Sequence, residues 1–292
     1  MSTRTIAKTY AGTPVMDGAG VKLNRIIGHA DVQDIDPFLL LDFFDSRDPE
    51  DYRRGFPWHP HRGIETITYL VDGLIEHGDS LGNKGVIGPA GCQWMTAGSG
   101  IIHQEMPQPA AHMLGAQLWL NLPAEHKMTE PAYRDITEKN LAVFEDEQLL
   151  VKVIAGSFKG MKGSVSGTYV DPMYMDVTVK PGGNFEPDLP ESETALLLLL
   201  EGEVRFPDGK SASAPETRCV LLTNAAEMVV GSEKGARFVF IAGRPLHEPV
   251  AWGGPIVMNT REELSLAFKE LDEGTFIKHS KRATPGDVEN HK

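Results

Sequence analysis

Short apolar stretches, each broken by glycine, proline, aspartate or asparagine, recur along most of the chain. Seven of them have the length of a β-strand, namely FLLLDFF (38–44), IETITYLV (64–71), GAQLWLNL (115–122), LLVKVIAG (149–156), YMDVTVK (174–180), ALLLLLEG (195–202) and ARFVFIAG (236–243). Some alternate apolar and polar residues, whereas the run at 195–200 is continuously apolar, as a strand buried on both faces would be. Many short strands with frequent turns predict an all-β sandwich or barrel.

One segment, TREELSLAFKELDEG (260–274), departs from this pattern. Thr260 and Glu263 have the spacing of a helix capping box, and Gly274 is a typical helix end. Apolar residues between them recur at helical spacing, at Leu264, Ala267, Phe268 and Leu271. The segment is therefore predicted to be a C-terminal amphipathic helix. From about residue 280 onward the chain is polar and is predicted to be a frayed tail.

Two of the strand-like segments resemble each other. ETITYLVDG (65–73) and ETALLLLLEG (193–202) both end in an acidic residue and glycine, and each is followed by a cysteine in an apolar stretch, Cys92 and Cys219. The similarity indicates a duplicated domain, although two matches of this length also arise by chance. A boundary would fall in the charged stretch 134–148, so we divide the chain into domains at 1–138 and 139–292.

Charge and composition restrict the partners of the protein. The 292 residues include 28 Lys and Arg against 41 Asp and Glu, a formal charge of −13, which disfavours direct binding to nucleic acid or to an anionic membrane. No stretch approaches the ~18 apolar residues of a membrane helix, and the first twenty residues lack the apolar block of a signal peptide. Two isolated cysteines indicate reduced core thiols. We expect a cytoplasmic protein, or also a nuclear one in a eukaryote.

Two histidine pairs carry the candidate chemistry. Side chains two residues apart on a strand share a face, so His59 and His61 point together, as do His103 and Glu105. If two such strands faced each other across a small barrel, the four groups would converge. Three imidazoles and a carboxylate suit iron, copper, nickel, manganese or zinc. The spacing is equally compatible with hydrogen-bonded or surface histidines that bind no metal.

The second half of the chain cannot repeat such a centre. No histidine occurs between residues 127 and 246. If the domain is duplicated, only its first copy is therefore predicted to bind a metal.

Longer motifs in the chain resemble the pirin family of the cupin superfamily. They are HPHRGIETITYLVDG (59–73), CQWMTAGSGIIHQEMP (92–107), AQLWLNLP (116–123) and GRPLHEPVAWGGPIVMNTREEL (243–264), in the order of the family. The resemblance extends over about residues 5 to 278. It implies a bicupin, in which two antiparallel jelly-roll β-barrels stack face to face, with one metal site in the N-terminal barrel. The implied metal ligands are His59, His61, His103 and Glu105.

The resemblance also implies two kinds of role. One is that of a quercetin 2,3-dioxygenase, which cleaves a flavonol with dioxygen and releases carbon monoxide; Glu105 would then also act as the catalytic base. The other is that of a non-enzymatic iron-dependent redox sensor, which binds a protein partner as a transcriptional co-regulator or a modulator of a metabolic enzyme. The implied cofactor is one divalent metal ion, with Fe(II) ahead of Ni, Cu, Mn, Co and Zn.

Other polar residues near these motifs receive smaller roles. Glu65 occupies the place where many cupins have a carboxylate ligand, but the resemblance to pirins assigns that ligand to Glu105 and leaves Glu65 to support the ligands. Four further histidines are predicted to lie in solvent-exposed turns, namely His77, His112, His126 and His247. For His77, which follows a strand end, the alternative is a place near the mouth of the site.

Overall fold

The computed structural model describes residues 2–279, and the predicted polar tail from about residue 280 lies outside them. Within this range the chain is built mainly of antiparallel strands, which confirms the all-β prediction. Each of the seven strand-like segments lies on a strand. Antiparallel pairing is what short segments joined by tight turns can form without long crossovers.

Eleven strands form the N-terminal barrel. They are β2 (Thr13–Asp17), β3 (Val21–Ile27), β4 (Phe38–Ser46), β5 (Phe56–His61), β6 (Ile64–Asp72), β7 (Leu74–Asp79), β8 (Lys84–Ile87), β9 (Cys92–Thr96), β10 (Ile101–Gln108), β11 (Met113–Asn121) and β12 (Ala132–Ile136). One wall is a seven-stranded sheet in the order β12-β9-β6-β11-β4-β3-β2, and the other is a four-stranded sheet in the order β5-β10-β7-β8. A single helical turn, α1 (Val32–Ile35), precedes β4.

The C-terminal barrel is built around a ten-stranded sheet. Its strands are β1 (Ile6–Tyr10), β13 (Ala142–Glu145), β14 (Leu149–Ala155), β17 (Met173–Val179), β18 (Asn184–Phe185), β19 (Thr194–Arg205), β20 (Ser211–Ser213), β21 (Cys219–Leu222), β22 (Val230–Gly231) and β23 (Ala236–Gly243). The main path of the sheet is β1-β21-β19-β23-β17-β14-β13, with β18, β20 and β22 beside it. A small hairpin joins β15 (Ser157–Phe158) to β16 (Met161–Lys162).

The two barrels pack through their large sheets. On β19, Leu196 and Leu198 belong to a core shared with the N-terminal barrel, whereas Leu197 and its alternate neighbours fill the C-terminal barrel. This double burial explains the continuous apolar run in the sequence. On β6, Tyr69 reaches the same interface and donates a hydrogen bond to Asp176 at 2.6 Å.

The two ends of the chain exchange places. The first strand, β1, pairs with β21 of the C-terminal sheet, and the last elements pack back on the N-terminal barrel. These last elements are the hairpin β24 (Ala251–Gly253) and β25 (Ile256–Met258), followed by the helix α2 (Arg261–Asp272). Between them, sheet membership changes from the N-terminal to the C-terminal barrel between β12 and β13. The division of the chain at 138/139 stays a prediction.

The predicted helix is confirmed. Thr260 accepts a hydrogen bond from the amide of Glu263, and the Glu263 carboxylate accepts one from the amide of Thr260, so the capping box is complete. Gly274 follows the helix with a φ of 71°, which glycine adopts at little cost. Neither of the α-helices in residues 2–279 has the length and apolar character that are needed to span a lipid bilayer.

Candidate metal centre

The strands that carry the three predicted histidine ligands are direct neighbours. In the antiparallel pair of β5 and β10, His103 lies opposite His59, and the register shifts before Glu105. The sequence-based picture of two strands facing each other across the barrel is therefore wrong. Neighbouring strands lie about 4.8 Å apart, so pairing alone brings the histidines within reach of a common ion.

The three imidazoles converge inside the barrel. Each of His59, His61 and His103 offers one ligand atom, and these atoms all lie within 4.8 Å of one another. The Nε2 atoms of His59 and His61 are 3.1 Å apart. Their Nδ1 atoms face main-chain carbonyls, that of Pro57 at 2.9 Å and that of Pro255 at 3.1 Å. A carbonyl can only accept, so both Nδ1 atoms carry the proton and both Nε2 atoms present a lone pair.

His103 has nitrogen atoms without a partner. It is 1% exposed, and neither of its ring nitrogens makes a hydrogen bond to any residue that the structure describes. Such a buried polar group is costly unless something else satisfies it. Burial and the neighbouring His59 lower the pKa of His61 to about 3, and burial with the other histidines holds the pKa of His103 well below its usual value. The neutral imidazole is the form that binds a metal, so the set fits a divalent cation.

Glu105 lies beside this cluster but is not part of the group of close ligand atoms. Its carboxylate, which is 4% exposed, accepts hydrogen bonds from Thr68 Oγ1 at 2.9 Å and from Gln117 Nε2 at 2.9 and 3.0 Å. Both donors lie on neighbouring strands of the large sheet and hold the group inside the barrel. The assignment of Glu105 as fourth ligand stays a prediction.

A cavity of about 640 Å³ opens onto two of the histidines. His59 and His61 line it together with apolar and aromatic side chains, which include Leu40, Phe56, Trp119 and Trp252. This volume is typical of a small-molecule site. A groove of the same volume runs between Asp34, Thr194 and Glu248, but it contains none of the predicted ligands.

His77 is buried, so its predicted place in a solvent-exposed turn is wrong. It lies on β7 opposite Glu105, with a ring 5.4 Å from that of His103 and stacked at 4.6 Å on Tyr133. Its Nε2 lies 3.4 Å from Asp79 Oδ2. The two-residue spacing of His77 and Asp79 along LIEHGD is a signal that would have placed both on the same face of a strand. The three other histidines lie nearer the surface; His112 bonds Asp45 at 2.7 Å, and His247 is exposed.

Glu65 faces away from the histidines. Thr68 on the same strand points to Glu105, and Glu65, three residues earlier, lies on the opposite face, where it accepts a hydrogen bond from Thr96 Oγ1 at 2.6 Å. It contacts no predicted ligand through a hydrogen bond, so the role of supporting the ligands is not borne out by this geometry. Burial raises the pKa of the Glu65 carboxyl, and its second oxygen has no partner.

Substituting Glu65 by glutamine should leave metal binding intact and raise stability at neutral pH. Because the folded-state pKa is above the unfolded one, the cost of the buried charge is absent at acid pH and complete above the folded-state pKa. We expect the variant to gain about 1 kcal/mol at pH 8, a gain that shrinks towards pH 4. Urea unfolding across this pH range and metal analysis measure both effects. Loss of the metal would instead make Glu65 a ligand.

Two family profiles match the sequence of this chain. The family profile named Pirin matches residues 20–120, and that of the Pirin C-terminal cupin domain matches residues 174–277. The chain belongs to the pirin family. The predicted bicupin is thereby confirmed, with both cupin domains present in the expected order.

Related proteins resemble the chain over nearly its whole length. A Pseudomonas aeruginosa protein named "Putative quercetin 2,3-dioxygenase" is 42% identical over 277 residues, which cover 93% of this chain and 97% of that protein. A "Pirin-like protein" of Caulobacter vibrioides is 43% identical and covers 94% of this chain and 100% of that one. The solved structure of a quercetin 2,3-dioxygenase from Acinetobacter baumannii has a TM-score of 0.85 at 30% identity, covering 94% of this chain and 99% of that one.

Proposed function

We propose that this pirin is a metal-dependent dioxygenase that cleaves a flavonol such as quercetin with dioxygen and releases carbon monoxide. The observation that carries the proposal is the cluster of three convergent histidines, two of which line an aromatic-walled cavity of about 640 Å³. The names of the relatives support the same reaction class. One divalent ion, with Fe(II) as the proposed metal, would be held by His59, His61, His103 and Glu105.

The side chains of the pocket suit a flat aromatic substrate. Trp119 packs edge-on to His61 with ring centroids 5.0 Å apart, and Trp252 lies 5.8 Å from Trp119. These rings form an apolar wall beside the ligands, and a planar flavonol could stack against them while its polar edge faces the histidines. When bound, a divalent ion supplies Lewis-acid stabilisation of the substrate's 3-oxygen.

Glu105 is the proposed base for the 3-hydroxyl of the flavonol. A carboxylate on the same strand face as His103 accepts that proton, and the negative oxygen left on the substrate then turns towards the histidines. Gln117 and Thr68 hold the carboxylate in place through the hydrogen bonds described above. Gln117 also lines the large cavity, whereas Glu105 lines a smaller cavity that shares Gln117, so Gln117 connects the proposed base to the proposed substrate site.

Glu105→Gln should lower flavonol turnover by about 100-fold at full metal loading, since general-base catalysis typically contributes 10²- to 10⁴-fold. Oxygen uptake and loss of quercetin absorbance, measured on protein whose metal content has been verified, test this expectation. Gln104→Ala is the matched control, because Gln104 is the neighbouring residue on the other face of β10.

Turnover of Glu105→Gln at the wild-type rate would remove Glu105 as the base. No turnover by fully iron-loaded wild-type protein would reject the enzyme proposal. The alternative role, a non-enzymatic redox sensor, would then be favoured. For that role we expect the affinity for a protein partner to differ between Fe(II) and Fe(III).

A further inference from the structure

The C-terminal segment contacts the strand β5 at His61, one of the predicted metal ligands. Residues 251–277, here called the latch, contain the hairpin β24–β25 and the helix α2 and pack on the N-terminal barrel. The carbonyl of Pro255, in the turn of that hairpin, faces Nδ1 of His61 at 3.1 Å. The latch thus supplies the acceptor that fixes the ring orientation and the tautomer of a predicted ligand.

The residue after His61 anchors the latch. Arg62 is 2% exposed, and its Nη1 lies 2.8 Å from Oε2 of Glu270 on α2. Its Nη2 donates a hydrogen bond at 2.8 Å to the carbonyl of Phe276, and its guanidinium carbon lies 4.2 Å from the centroid of the Phe276 ring. A buried guanidinium requires such partners, and the latch supplies the carboxylate, the carbonyl and the aromatic ring that Arg62 contacts.

Two further contacts bring the main chains together. Lys127, which is 2% exposed, donates hydrogen bonds to the carbonyls of Gly63 at 2.8 Å and Val257 at 3.0 Å, and so joins the barrel to the latch. A Cβ atom on Gly63 would lie 1.9 Å from the Val257 oxygen, and Gly63 has a φ of 76°. Only glycine permits this close approach of the two backbones.

We infer that the latch is a positioning device for the candidate metal centre, in which Arg62 and Glu270 act through the Pro255 carbonyl to hold His61 in its binding orientation. The inference rests on the proposed metal centre but not on the dioxygenase activity. Docking of the latch and binding of the metal are then coupled, and the coupling is reciprocal: metal binding tightens the latch by the factor by which a loosened latch weakens metal binding.

Glu270→Gln tests this coupling, because it removes the charge that pairs with Arg62 and leaves the side chain's size unchanged. We expect the Kd for Co(II) to rise about tenfold, the loss typical of a group that orients a metal ligand. The visible d–d spectrum of bound Co(II) should change as the position of His61 loosens. Hydrogen exchange of residues 251–277 should be faster in the variant and slower in Co(II)-loaded wild type than in apoprotein, with β17 and β23 unchanged by the metal.

Two control variants separate the anchor from its surroundings. Glu270 also pairs with Lys278 at 2.8 Å, so Lys278→Gln breaks that contact and the Lys278 hydrogen bond to the Thr275 carbonyl but leaves the pair of Arg62 and Glu270 in place. Glu273→Gln removes another carboxylate just past α2, which lies 3.8 Å from Lys269 at the surface. Both should bind Co(II) with the wild-type Kd and spectrum. Should Glu270→Gln fail to fold, Phe276→Leu weakens the same anchor and should show the same changes.

The possible outcomes test the latch separately from the metal centre and from the dioxygenase activity. Wild-type protein that binds Co(II), together with a folded anchor variant that keeps the same Kd and spectrum, overturns the latch and leaves the metal centre standing. Wild-type protein that binds no Co(II) overturns both. A coupled latch in a protein that does not turn over quercetin supports the latch and rejects the dioxygenase.

Discussion

Substituting His103 by alanine should weaken metal binding severely and, with it, abolish most of the metal-dependent stabilisation. His103 is the proposed ligand whose two ring nitrogens have no partner among residues 2–279, so it contributes no side-chain hydrogen bond to this part of the apoprotein. Loss of a ligand should weaken binding by more than the 100-fold that removal of an orienting group can cost. At a metal concentration 100 times the wild-type Kd, the wild-type protein gains about 2.7 kcal/mol in unfolding free energy. The variant, whose Kd should be more than 100-fold higher, should gain less than about 0.4 kcal/mol at the same metal concentration.

Calorimetric titration and urea unfolding with and without the metal measure this difference. The apoprotein of the variant should be close to wild type in stability, because the cavity left by the imidazole and the removal of two unsatisfied nitrogens act in opposite directions. His112→Ala is the control, since His112 pairs with Asp45 away from the cluster. One metal ion per chain in His103→Ala, bound within tenfold of the wild-type Kd, would contradict the assignment.

Substituting Asp176 by alanine should cost about 3 kcal/mol in unfolding free energy, the loss typical of breaking a buried ion pair. Asp176 is 2% exposed, and both its oxygens accept hydrogen bonds from Arg237, at 2.9 and 2.6 Å. Tyr69 of the other barrel donates to the same carboxylate at 2.6 Å. The substitution therefore leaves a partly buried guanidinium and a buried hydroxyl without their acceptor.

Urea unfolding of metal-free protein measures this loss. Tyr69→Phe, which removes only the link between the barrels, should cost about 1 kcal/mol, the net contribution of one hydrogen bond. Equal stability of Asp176→Ala and wild type would mean that the polar link between the barrels contributes little and that the apolar interface holds them together.

The sequence predicted the strands well because local patterns determine them. The apolar runs of β4, β6 and β19 and the capping box of α2 are each contained within a few consecutive residues. The histidine pairs were likewise visible, since the two-residue spacing of a strand puts His59 and His61 on one face. The same spacing put His103 and Glu105 on one face, and the resemblance to pirins then implied that the four residues are ligands of one metal ion.

What the sequence missed depends on contacts between distant residues. That β5 and β10 are neighbours, with His103 opposite His59, follows from strand order, which no local pattern contains. The burial of His77 needed the placement of β7 beside β10. The contact between Pro255 and His61 joins residues 194 positions apart. Such contacts come from the packing of the complete barrel, in which a C-terminal segment returns to the first domain.

Release of carbon monoxide distinguishes cleavage of the flavonol ring from other reactions that consume dioxygen. Protein with one Fe(II) per chain is incubated with quercetin and dioxygen in a sealed vessel, and the headspace gas is compared with the oxygen consumed, with His61→Ala in parallel. We expect the wild-type protein to release one molecule of carbon monoxide for each molecule of dioxygen consumed, and the variant to release none. Oxygen consumption without carbon monoxide, or equal release from His61→Ala, would contradict it.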